Sequence, residues 1–531
     1  MESQCNWNPS ARSRRRAAKG SLPVHWRTIL RNIFSNWVSY LVTAAVGFTL
    51  APFILHTLGN TGYGLWTLVL ALTGYFGLLD LGIRSSVGRF VARYLALREH
   101  ENVNRTISTA FVMLGCGGLM AFLVTGLVVT FFFGAFKVEP RYVPAGKIAL
   151  LITGLNMSCV LPLAVFSAVL IGMERFDVLS GITIVGELAR AALVFVCLKL
   201  GLGLIGLASV ALFISLAEYC AMGIAAKSLY RPMRLGPEHV RRDTFKSLMS
   251  FGVYRFVWIV ANQLIFYSDS LVIGIALGAE AITYFAIAGS LVNYGRNIVS
   301  LVTDTFAPAA TRLDAREDLA GLQRLLLAGT RATLVVSLPL CLGFFFLGRQ
   351  FITLWMGSNY ASSAIFLTVL TIPQLLAMPQ YVSALVLAGM ARHQVLAYLS
   401  FAEGVANLLL SIILVRKIGL IGVAWGTVIP NVLCTGLIVP LYTLWTLKLE
   451  IREYLRAALP PILCALPVAA VGYLLSHAGS PSWGRFLGEV TLIGSLFGAM
   501  AYFLCLDAPQ RASLSDKVNT LLRREVVVHG A

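Results

Sequence analysis

Apolar residues run along this chain in windows of twenty or more, separated by short polar breaks. A hydrocarbon core of about 30 Å takes about 20 helical residues to cross. Windows of that length lie near 33–55, 63–83, 107–133, 148–171, 180–200 and 204–226, then near 250–276, 281–303, 326–348, 362–388, 395–415 and 419–446, and last near 457–477 and 486–506. A membrane barrel needs segments of about ten residues that alternate in and out. These windows are continuously apolar, so the pattern predicts an all-α polytopic membrane protein with about fourteen transmembrane helices.

Composition agrees. Of 531 residues, 58% are hydrophobic and 12% charged, about half the charged share of a soluble domain, and the mean hydropathy is +0.79. The formal net charge of +18 reads as a topology signal, because Lys and Arg collect in cytoplasmic loops. With the N-terminus inside, roughly three quarters of the basic residues fall in cytoplasmic segments. Both termini are therefore expected in the cytoplasm, and nucleic acid is not expected as a partner.

The windows repeat. A shift of 216 places Glu187 on Glu403, Leu204-Ile205-Gly206 on Leu420-Ile421-Gly422 and Ser167-Ala168 on Ser383-Ala384. At 217, Gly172-Met173 and Arg175 meet Gly389-Met390 and Arg392; at 219, Leu58-Gly59 and Arg93 meet Leu277-Gly278 and Arg312. Two parallel pseudo-repeated six-helix lobes follow, with a C-terminal helix pair left over. The expected units are a basic cytoplasmic tail (1–32), an N-lobe (33–226), an interlobe linker (227–249), a C-lobe (250–446), spans thirteen and fourteen (447–506) and a cytoplasmic tail (507–531).

Several motifs carry no chemistry here. Arginines 14–16 resemble a twin-arginine signal faintly, but the apolar run that follows is long and has no evident cleavage site, which suits an uncleaved first span. The nine cysteines show no CxxC spacing, so neither a disulfide framework nor a metal site is expected. Gly201-Leu-Gly203-Leu-Ile-Gly206 matches GxGxxG yet joins two membrane windows instead of a strand and a helix. Asn104-Arg-Thr106 is a glycosylation sequon on the cytoplasmic side.

Parallel lobes around a central cavity are a transporter architecture, and polar residues inside membrane windows ordinarily face such a cavity or one another. Span seven carries Arg255, Asn262, Gln263, Tyr267 and Asp269; span eight carries Asn293, Tyr294, Arg296 and Asn297. Spans one and two add Asn36, Tyr40, Tyr75 and Asp80. Glu187 and Arg190, i,i+3 on span five, and Glu218 on span six read equally well as a structural ion-pair cluster or an active one. The segment after Arg84 reads as an amphipathic helix on the inner leaflet, with Arg89 and Arg93 as headgroup anchors.

The stretch LGNTGYGLWTLVLALTGYFGLLDLGIRSSVGRFVARY, Leu58 to Tyr94, resembles the second span and basic loop of Wzx-type polysaccharide flippases of the multidrug/oligosaccharidyl-lipid/polysaccharide (MOP) exporter superfamily. The LGxxxYGLW turn and the LDLGI helix end carry the likeness. It implies export, across a bacterial inner membrane, of an oligosaccharide on an undecaprenyl diphosphate carrier, with membrane lipids and other polysaccharide assembly proteins as partners. Lipid II flippases and multidrug extruders of the same superfamily are the alternatives. A membrane polysaccharide polymerase or ligase is the rival from another class, but the longest outer loops hold about a dozen residues and no nucleophile-and-base pair, so no catalytic residue is expected.

On that likeness, Arg255 and Arg296, at one depth by helical rise, are the expected diphosphate ligands, since guanidinium forks bind phosphate oxygens bidentately. Snorkelling, or a pair with Asp80, is the other reading. Asn262, Gln263, Tyr267, Asn293 and Asn297 would meet sugar hydroxyls, and Trp258 would supply a stacking face. No P-loop is present, so a gradient of H⁺ or Na⁺ is the expected energy source and no cofactor is needed. Asp269, Glu403 and Asn407 are the ion-coupling candidates, Asp269 toward the outer end of its span and Glu403 toward the inner end of its own.

Overall fold

The structure, a computed structural model, describes residues 26–476, 479–506 and 511; most of both expected tails lies outside them, as do the side chains of Arg255 and Trp258. Every regular element described is helical. Eleven helices among the described residues are long and apolar enough to cross a membrane, or twelve if a pair bent by 46° counts as one span. The window count of about fourteen differs for two physical reasons. The first of the eleven holds 47 residues, about 70 Å at 1.5 Å each, which is more than twice the hydrocarbon thickness. In addition, Ala279–Thr303 is 25 residues long but diluted by Asn293, Arg296 and Asn297.

The chain opens on α1 (Trp26–Gly74), which is broken at Gly59, where φ is 72°; a side chain there would be strained. A 3₁₀ turn (Tyr75–Asp80) leads to α2 (Ile83–Ala96), then α3 (His100–Leu127), α4 (Val143–Gly172), α5 (Phe176–Lys199) and α6 (Gly203–Leu229). The second half repeats the plan with α7 (Arg242–Ala276), α8 (Ala279–Thr303), a short α9 (Ala307–Asp314), α10 (Leu319–Met356), the bent α11 (Ser363–Thr371), α12 (Gln374–Ala377) and α13 (Gln380–Gly389), then α14 (His393–Ile418), α15 (Leu420–Asn431) and α16 (Val439–Leu447). The helices α17 (Ile451–Ser476) and α18 (Trp483–Leu504) close the chain and pack on α10 through Leu334, Leu338, Val468 and Phe497.

The repeat is written in the backbone. Left-handed residues recur at the same shifts as the sequence matches: Gly59 with Gly278, Arg98 with Glu317, Glu174 with Ala391, and Gly203 with Gly419. Each pair ends one helix and starts the next, so the two lobes reverse direction at equivalent points.

The lobes meet most closely at the Asn60 end, which the expected topology makes the outer one. Lipid is as apolar as Leu, so small residues that let backbones approach hold such helices together. At Gly64 an added Cβ would lie 1.8 Å from the Ala279 carbonyl oxygen. Around it, the Thr283 hydroxyl donates to the Asn60 carbonyl at 2.7 Å, the Tyr360 hydroxyl donates to the Asn60 side chain, and His56 Nε2 lies 2.9 Å from the Met356 carbonyl oxygen. The Trp355 indole donates to the Phe48 carbonyl at 3.0 Å.

At the opposite end the interlobe connection is stitched to α3. His100 pairs with the Tyr230 hydroxyl at 2.7 Å. Asn104 donates to the Pro232 carbonyl at 3.1 Å and accepts from the Arg234 amide at 2.9 Å, while Ser108 and Thr109 accept from Gly236 and Arg241. Positions 100, 104 and 108 share one helix face. The sequon asparagine is thus a buried strap for the linker.

Candidate functional site

Helix α8 is a wall with two sides. Residues spaced i, i+3, i+4 and i+7 share a helix face. One such row, Asn293, Arg296, Asn297 and Ser300, lines a polar cavity of about 1180 Å³. The other row, Leu291, Tyr294, Gly295 and Ile298, lines an apolar groove of about 750 Å³ bounded by α1, α10 and α18. The cavity lies mainly within the second lobe and reaches Asp304 and His393 at one end; burial raises the Asp304 carboxyl above its ordinary value. Ser85 and Arg89 of α2 close its first-lobe side.

Arg296 is held on two sides. Its Nε donates to the Tyr381 hydroxyl at 3.0 Å, and its guanidinium carbon stands 4.5 Å from the centre of the Phe266 ring, within cation–π range. Both partners line the same cavity. Tyr381 is itself packed against the cluster of Val299, Cys341 and Met378.

Two buried carboxylates lie along α14 and its neighbours. Glu403, 4% exposed, accepts from Asn431 Nδ2 at 2.7 Å and from the Thr435 hydroxyl at 2.6 Å. Thr435 sits in a π-helical stretch, Val432–Ile438, a distortion that concentrates at functional sites. Asp269, 6% exposed, accepts from Thr427 at 2.8 Å and from Ser411 at 3.3 Å. Between them Asn407 accepts from Ser268 at 3.4 Å. Glu403, Asn407 and Ser411 are spaced i, i+4 and i+8, so the polar ladder climbs about 12 Å. It joins the two depths that the sequence placed apart.

The cavity thus brings together Asn262, Asn293, Arg296, Asn297 and Glu403 of the expected residues. Asp269 and Asn407 are sealed behind it. Gln263 and Tyr267 do not line the cavity: the Gln263 amide donates to the Gly74 carbonyl at 2.8 Å, and the Tyr267 ring lies against Gly74 and 6.2 Å from the Tyr75 ring. The reason is helical phase. Asn262 and Phe266 share one face of α7, while Gln263 and Tyr267 lie about 100° round it, toward the first lobe. Arg89, expected at the lipid headgroups, also lines the cavity. Gln374, Gln380, Tyr381, Asn431 and Thr435 line it too; polar positions inside windows ten and twelve were their signal in the sequence. Arg190 is 3.9 Å from Glu187 and 3.5 Å from Glu218, a cluster that lines neither space.

The sequence model of a family described as "Polysaccharide biosynthesis protein" matches residues 29–314. A Shigella flexneri protein described as "Putative O-antigen transporter" is 23% identical over 430 residues, 78% of this chain and 98% of the relative. The "Uncharacterized membrane protein EpsK" of Bacillus subtilis (strain 168) is 23% identical over 498 residues, 90% of this chain and 96% of the relative. Among solved structures, the lipid II flippase MurJ in an inward closed conformation superposes with a TM-score of 0.69 at 16% identity, covering 88% of this chain and 97% of that one. An inward-facing multidrug resistance MATE transporter of the MOP superfamily gives 0.63 at 15%, covering 77% and 94%. The fold is that of the MOP transporters.

Proposed function

Because the chain belongs to the polysaccharide biosynthesis protein family, we propose that it is a flippase for an oligosaccharide carried on a polyprenyl diphosphate, moving it across the bacterial inner membrane by alternating access. The observation that carries this reading is the two-sided α8. A substrate with a polar head and a long apolar tail needs a wet site and a dry one side by side, and one helix separates the two here. Arg296 supplies a fixed cation for the diphosphate, and Asn262, Asn293 and Asn297 supply donors and acceptors for sugar hydroxyls. The groove takes the proximal isoprene units.

Outward opening requires the Asn60 contacts to break while the His393 end closes. The energy comes from an ion gradient, H⁺ or Na⁺, acting on the ladder that joins Glu403 to Asp269. A carboxylate that binds the ion more tightly in one access state biases the lobes by that difference in affinity. Both termini lie in the cytoplasm on this reading, and the partners are the lipid-linked oligosaccharide and the surrounding lipid.

The test is reconstitution in liposomes with a fluorescent prenyl-diphosphate oligosaccharide, reading the fraction protected from an impermeant quencher. Protection should appear with wild-type protein and an imposed gradient, and Asn262→Ala with Asn293→Ala should slow it about tenfold, as for one or two lost hydrogen bonds. Transport of a cationic drug with no movement of the glycolipid would overturn the assignment.

A further inference from the structure

We propose that Tyr381 is a diphosphate-binding residue that also positions Arg296, so that the pair selects a diphosphate over a monophosphate. The inference rests on the flippase reading and names how its polar site would recognise the head group. It starts from donor arithmetic. Arg296 Nε is committed to the Tyr381 oxygen at 3.0 Å, which leaves the Nη1–Nη2 edge of the guanidinium for a ligand. Phe266 covers the guanidinium at 4.5 Å, so a ligand meets the fork by that edge.

The same hydrogen bond fixes what Tyr381 can do. A phenol has one O–H to give besides the lone pairs that accept. Its oxygen already accepts from Arg296, and the positive charge behind that bond makes the O–H a better donor. Tyr381 and Arg296 line one cavity, so a ligand in it is within reach of both the hydroxyl and the guanidinium. Packing of Tyr381 against the cluster of Val299, Cys341 and Met378 holds that hydroxyl in place. One phosphoryl group is taken end-on by the arginine fork and the next by the tyrosine O–H. A monophosphate satisfies only one of these positions.

The tyrosine comes from α13 and the arginine from α8, which are separate walls of the cavity. A bound diphosphate therefore bridges two elements of the second lobe, and the discrimination belongs to the pair.

The experiment uses the full chain in detergent, with farnesyl diphosphate and farnesyl monophosphate as probes in a direct binding titration. Wild type should prefer the diphosphate. Tyr381→Phe, which keeps the ring and loses the hydroxyl, should weaken diphosphate binding about tenfold and monophosphate binding less than about threefold, collapsing the preference. Phe266→Leu should weaken both by a similar factor and leave the preference standing. A merely structural tyrosine would shift the melting temperature and leave the ratio alone, so the ratio is the deciding readout. If Arg296→Ala loses the diphosphate while Tyr381→Phe keeps the wild-type ratio, the tyrosine proposal fails and the flippase reading survives. Arg296→Ala that binds the diphosphate as tightly as wild type removes the anion site and the tyrosine's role with it.

Discussion

The closest approach between the lobes gives the sharpest perturbation. In Gly64→Ala the new Cβ would sit 1.8 Å from the Ala279 carbonyl oxygen, 2.8 Å from its carbon and 3.0 Å from the Thr283 hydroxyl. A carbon–oxygen contact settles at about 3.3 Å or more, so the two helices must part by about 1.5 Å at this level. The first obstacle is backbone, so no rotamer change relieves it. Parting them stretches the 2.7 Å bond from Thr283 to the Asn60 carbonyl. Overpacking of this kind costs about 1–3 kcal/mol, and the cost falls on the state closed at the Asn60 end. The ratio of open to closed should rise roughly 5- to 150-fold. Ala288 is fully buried in the cluster shared by the two lobes, so Ala288→Cys, with the nine native cysteines replaced, reports opening by its labelling rate with an impermeant maleimide. The rate should rise by that factor in Gly64→Ala. It should stay put in Gly126→Ala, where an added Cβ meets nothing within 4 Å. An unchanged rate in folded Gly64→Ala protein would refute the argument that this contact closes the Asn60 end.

Other consequences are equally open to measurement. Asn104→Ala strips the strap from Pro232 and Arg234, at about 1–3 kcal/mol for each backbone group left unpaired; limited proteolysis near 230–241 should quicken about tenfold, and an unchanged cleavage rate would mean that the linker holds by packing alone. Asp269→Asn and Glu403→Gln should each abolish gradient-driven flipping while probe binding persists, and full transport in both would take the ladder out of the mechanism. Glu489→Gln weakens the 2.6 Å bond from Arg485 Nε, a charge-assisted bond of about 2 kcal/mol. Its melting temperature should fall by several degrees, and the α17–α18 pair should be the first region to lose hydrogen-exchange protection.

Much of the architecture was legible because it depends on quantities that a sequence carries directly. Window length sets which segments span, and the spacing between matching residues sets the repeat; the left-handed pairs Gly59 with Gly278 and Gly203 with Gly419 fall where those matches put them. Glycine at such points is informative, because few other residues tolerate the conformation. Arg98, Glu174, Glu317 and Ala391 adopt it as well, and nothing in their identity announces it. Those turns are imposed by the helices on either side, which is tertiary information.

The site was legible in kind and not in direction. Asn262 and Gln263 are neighbours of similar polarity, and a list of polar residues treats them alike; one lines the cavity and the other clasps the Gly74 carbonyl. Phase along α7 could have separated them, since adjacent residues point about 100° apart, but phase alone does not say which face meets the first lobe. On α8 the same limit had a different outcome. Its polar positions 293, 296, 297 and 300 follow helical spacing, as do the groove positions 291, 294, 295 and 298, so the two-sidedness was present in the sequence as a pattern. What the pattern lacked was the second surface: an apolar row on a membrane helix ordinarily faces lipid, and only α1, α10 and α18 folded around it turn that row into a groove. The C-terminal pair, an appendix to the repeat in the sequence, is thereby one of the walls.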